Sequence, residues 1–104
     1  YKHSYKNLDF LNLNSTQLEK INTILIDFKK EYKEFYEYKE EQEDLLKDLI
    51  EDKEFNEKQY LKILTDIKTK SAILEVTRLK KIHTILDEKQ RKEFADYLEE
   101  WEIE

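Results

Sequence analysis

The sequence predicts an all-α fold, a long antiparallel helical hairpin with a short C-terminal helix, pairing into a dimer. Three observations carry this. The 104 residues include no Gly and no Pro, so the chain has no cheap route to tight hairpin turns. Leu, Ile, Lys and Glu recur at helical spacing, which favours helices over strands. And one N-capping signature occurs three times along the chain.

The first copy is Leu13-Asn14-x-x-Gln17 in LNLNSTQLEKI, and the second is Leu86-Asp87-x-x-Gln90 in HTILDEKQRKEF. The four amide hydrogens that open a helix have no acceptor within it. An Asn or Asp at the N-cap accepts one, and a Gln at the third helical position reaches back to the cap's own amide. Leu13 can staple onto Leu18, whereas Arg91 occupies the matching position in the second copy and makes that staple weaker. The third copy, Phe55-Asn56-Glu57-Lys58-Gln59-Tyr60, has Phe55 and Tyr60 as its staple. Helix starts are therefore expected near 15, 57 and 88.

The first helix, from about 15 to about 51, presents Leu18, Ile21, Leu25, Phe28, Tyr32 and Phe35, and its stripe resumes at Leu46 and Leu49. At 1.5 Å per residue it is roughly 55 Å long. EDKEFN, residues 51 to 56, makes the reversal. The second helix, about 57 to 84, carries Tyr60, Ile63, Leu64, Ile67, Leu74, Val76, Leu79 and Ile82. The third, about 88 to 101, offers Phe94, Tyr97, Leu98 and Trp101. A short helical turn before residue 11 would carry Tyr5, Leu8 and Phe10. Residues 1–104 read as a single domain. Two long helices bury one stripe each and leave apolar surface uncovered, so a homodimer along that stripe is expected.

Composition excludes several classes of function. Without cysteine there is no disulfide framework and no thiolate metal site. Nineteen Lys and Arg against twenty-five Asp and Glu give a net charge of −6. The charges interleave with no basic patch, which argues against nucleic acid. No segment is apolar and long enough to insert in a membrane. The carboxylates lie on mixed charged faces, and no nucleophile sits with an evident base, so an enzyme is not expected.

Two motif copies in this order, with a long hairpin between them and Arg91 and Phe94 following the second Gln, resemble the periplasmic Spy/CpxP-type family with its LTxxQ motif. The resemblance spans about residues 8 to 101 and extends to the metal-resistance relatives of the CnrX and ZraP kind. Asn14 and Asp87 stand where the family prefers Thr, and both remain good N-caps. The resemblance implies a bent, usually dimeric helical hairpin in the periplasm. It also implies that the two motifs lie near each other, and that a signal peptide or membrane anchor has been removed. The expected function is an envelope- or metal-stress sensor or adaptor working through contacts with an envelope signalling protein. The alternative is an ATP-independent holdase that grips unfolded client proteins.

His3 and His83 are the two imidazoles. The simpler role for His83 is a packed or capping side chain at the negative end of the second helix. A sharper role joins His3 and His83 with a carboxylate such as Asp87 or Asp9 in a weak site for Zn, Ni or Cu. The CnrX-type set includes a His and a Met on the helix before the second motif. Arg78 and Ile82 fall there in this chain, so that set does not carry over. The aromatic run Tyr32, Phe35, Tyr36 and Tyr38 is expected to serve as dimer interface, or alternatively as a client-gripping surface.

Overall fold

The computed structural model describes residues 11–98. Within them the chain forms α1 (Ser15–Glu51), α2 (Glu57–Ile85) and α3 (Glu88–Ala95), with no strand among the described residues. All three helices begin where the capping signatures place them. α1 and α2 run antiparallel against each other over an elongated body measuring 58 × 23 × 19 Å. The expected turn carrying Tyr5, Leu8 and Phe10 lies outside the described residues, as does Trp101.

The buried face of α1 is Ile21, Phe28, Tyr32, Phe35, Leu46 and Leu49, close to the predicted stripe. Leu18 departs from it at 46 % exposed. Leu13 packs instead into the cluster at the open end of the hairpin, so it does not rely on Leu18. On α2 the buried residues are Ile63, Ile67, Arg78 and Ile82. Val76, expected in the stripe, is 61 % exposed and Arg78 is 2 % exposed. The reason is phase: Leu74, Arg78 and Ile82 follow at intervals of four on one helix face, and Val76 points away from it. α3 ends at Ala95, earlier than expected. The amide of Tyr97 donates to the carbonyl of Phe94 at 2.9 Å, a three-residue bond that tightens the last turn and stops the four-residue ladder.

The core divides in two. At the open end Leu11, Ile21, Ile82, Leu86 and Phe94 pack together. Toward the tip Phe35, Leu46, Leu49, Ile63 and Ile67 form a second cluster. Phe28 and Tyr32 continue the buried face between them on α1. The tip itself is pinned by Phe55 against Tyr60, with ring centroids 5.3 Å apart.

Candidate functional site: the motif clasp and the groove beside it

Each complete capping box first acts locally. The amide of Gln17 donates to Oδ1 of Asn14 at 2.8 Å, and the amide of Asn14 donates to Oε1 of Gln17 at 3.0 Å. The amide of Gln90 likewise donates to Oδ1 of Asp87 at 2.8 Å, and the amide of Asp87 to Oε1 of Gln90 at 3.0 Å. Asn56 forms half a box. Its Oδ1 accepts from the Gln59 amide at 3.1 Å, while the return bond runs between side chains, from Asn56 Nδ2 to Gln59 Oε1 at 3.4 Å.

The two complete boxes then join across more than seventy residues of chain. Gln17 Nε2 donates to Gln90 Oε1 at 2.7 Å and to the carbonyl of Ile85 at 3.0 Å. Gln90 Nε2 donates to Gln17 Oε1 at 3.2 Å and to the carbonyl of Leu11 at 3.1 Å. A primary amide has two protons and two acceptor lone pairs. Both glutamines use all four. Each closes the start of its own helix and binds a carbonyl beside the other's motif.

The surroundings complete this clasp. Leu86 is 3 % and Gln90 6 % exposed, with Phe94 packed in the same cluster. Arg91 Nη1 donates to the Leu86 carbonyl at 2.6 Å, and so caps the end of α2 where a staple would be weak. Asn12 has φ 52°, a left-handed conformation that Asn tolerates better than most residues. It turns the chain between buried Leu11 and the first cap. Sequence reasoning did not single out Leu11 or Asn12, although an Asn directly before a capping box in a chain without glycine was available as a turn signal.

The aromatic run separates into two kinds of residue. Tyr32 and Phe35 are buried within the hairpin, and Phe35 packs with Leu46 and Leu49 of α1 and with Ile63 and Ile67 of α2. Tyr36 is 42 % exposed, and Tyr38 is partly buried with Lys70 Nζ 4.2 Å from its ring centroid. Phe28, Tyr32, Phe35 and Tyr38 form a ladder of tilted rings at 5.7, 6.3 and 6.3 Å. At the end of that ladder an open groove of about 450 Å³ runs between the helices, floored by Phe35, Tyr38 and Leu74. Glu31 and Glu34 line its α1 side and Lys70 its α2 side, while Ile73, 60 % exposed, stands at its edge.

No family model, curated protein or solved structure matches the chain. His83 is exposed in the last turn of α2, beside the helix's negative end and not packed in the core. His3, proposed to join it around a metal, lies outside the described residues. Among the described residues no group of three or more His, Cys, Asp or Glu is placed to hold a metal ion, and Oδ1 of Asp87 is engaged by its own cap. No helix among the described residues is long and apolar enough to cross a membrane.

Proposed function

We propose that this chain is a periplasmic stress-response domain of the Spy/CpxP-like kind, a bent dimeric hairpin that senses or relays through protein contacts. The observation that carries the proposal is the clasp. Gln17 and Gln90 spend every hydrogen bond of their side chains on each other and on the hairpin's open end. The motif residues then act as a fastener, and the long helical faces are what the molecule offers to others. The groove over Phe35, Tyr38 and Leu74, with Ile73 exposed beside it, has the apolar floor and charged rim of a protein-binding surface.

The test is to over-produce the chain in the periplasm of a bacterial cell and record an envelope-stress reporter. The reporter is expected to shift, and Ile73→Glu to abolish the shift while the purified protein keeps its helicity. A reporter indifferent to the wild-type chain overturns the sensor role. Suppression of client aggregation by the purified chain at equimolar amounts would put the holdase in its place.

A further inference from the structure

The two long helices carry opposite charge. α1 has eleven acidic and six basic side chains, a net of −5, and α2 has three acidic and seven basic, a net of +4 with His83 neutral. The groove shows the same asymmetry. Glu31 and Glu34 line its α1 side, and helical spacing puts Asp27, Lys30 and Glu41 in line with them, an acidic majority with one base. On the α2 side Lys70 lines the groove with Thr77, and the same spacing extends that edge to Lys81. Asp66, one of the three acids of α2, is already paired with Lys62 at 3.3 Å. The groove is thus an apolar trough with one acidic rail and one basic rail.

We infer that this groove face binds a second copy of the chain, with α1 of each copy against α2 of the other. The inference rests on the dimeric reading above and adds its face and arrangement. Rotation about an axis along the hairpin keeps every residue at its own height and exchanges the rails, so Glu31 and Glu34 meet the Lys70 edge of the partner copy. Rotation about an axis running from α1 to α2 would set acidic rail on acidic rail and basic on basic. Charge selects the first and penalises the second. The product is a four-helix bundle of two hairpins pointing the same way, with Ile73 and the trough floor covered at its centre. A hairpin 58 Å long gives the paired faces room for the roughly 800 Å² per partner of a standard interface.

Sedimentation of charge-reversed chains tests this. Glu34 and Lys70 are exposed, so Glu34→Lys and Lys70→Glu should each keep the helicity of the wild type. Each alone puts like charges together at both symmetry-related contacts, and self-association should weaken about tenfold or more. Mixed one to one, the two variants restore opposite charges at both contacts. At one, the introduced lysine faces the introduced glutamate; at the other, the unchanged Lys70 of the first variant faces the unchanged Glu34 of the second. A dimer should therefore reappear. The mixture leaves the repulsion inside each chain untouched, so recovery reports contact between chains. A double variant, Glu34→Lys with Lys70→Glu in one chain, should also dimerise. A wild-type dimer that ignores both reversals, or a mixture no tighter than either variant, overturns the arrangement while leaving dimerisation by another face. A wild-type chain monomeric at tens of micromolar overturns the dimer itself, and leaves the proposed protein contacts to be judged by the reporter.

Discussion

Gln17 and Gln90 show what a single side chain contributes when all its valences are used. The backbone fixes the orientation of both amides: each Oε1 faces an N–H, and each Nε2 faces a carbonyl. Gln90 is the more buried of the two. Gln90→Leu would leave the Leu11 carbonyl and half of the Gln17 amide unsatisfied, and should cost about 2–3 kcal/mol in urea denaturation. Gln17→Leu, at the part-exposed rim, should cost about 1–2 kcal/mol. Because the residues share two hydrogen bonds, the double variant should cost less than the two single losses combined. Strict additivity would show that the amides act independently.

At the scale of the helix, local chemistry decides where elements begin. An N-cap and its third-position glutamine lie within one turn, so starts at Ser15, Glu57 and Glu88 could be read from Asn14, Asn56 and Asp87 without knowing the fold. Nonlocal facts were harder to read. Hydropathy rejects Arg78 from an apolar stripe and accepts Val76, yet the interval of four from Leu74 to Arg78 to Ile82 fixes the opposite result. The motifs could be placed near each other, but the amide pairing depends on how α3 folds back on the start of α1. Tyr32 and Phe35 continue the stripe as expected, and the hairpin itself covers them, so their burial says nothing of a partner. The caps also differ in strength. Asp87 has both reciprocal bonds, and α3 has only eight residues, too few to persist unaided. Asp87→Ala should cost about 1 kcal/mol or more, and hydrogen exchange should show protection lost over residues 88–95. Asn56→Ala, removing half a box from a helix of 29 residues, should cost less and leave α2 protected beyond its first turn. Equal losses at the two sites would contradict this ordering.

Over the whole molecule, a body 58 Å long is held by two separate apolar clusters with a cation between them in sequence and on the same buried faces. The Arg78 guanidinium lies 4.3 Å from the centroid of the Phe28 ring, a contact that recovers part of the cost of taking the charge out of water. Burial draws its pKa down to about 10, with Glu75 opposing the shift. The group remains protonated at neutral pH, so its desolvation weighs against folding at every pH below that value. The unfolded chain holds this proton more tightly than the folded one. Stability therefore rises only as pH passes upward through about 10 toward the ordinary arginine range, and this group contributes no slope below it. Arg78→Met keeps the length of the side chain and removes both the desolvation and the ring contact. Measured by urea denaturation, the stability difference between wild type and Arg78→Met should stay level from about pH 6 to about pH 9. Above about 10 it should move in favour of the wild type, as the buried cation loses its charge. Tyrosine and lysine titration is common to both proteins and drops out of the difference. A slope through the neutral range would mean that another titrating group is coupled to Arg78, and a level difference at high pH would mean that the guanidinium never releases its proton in the folded hairpin.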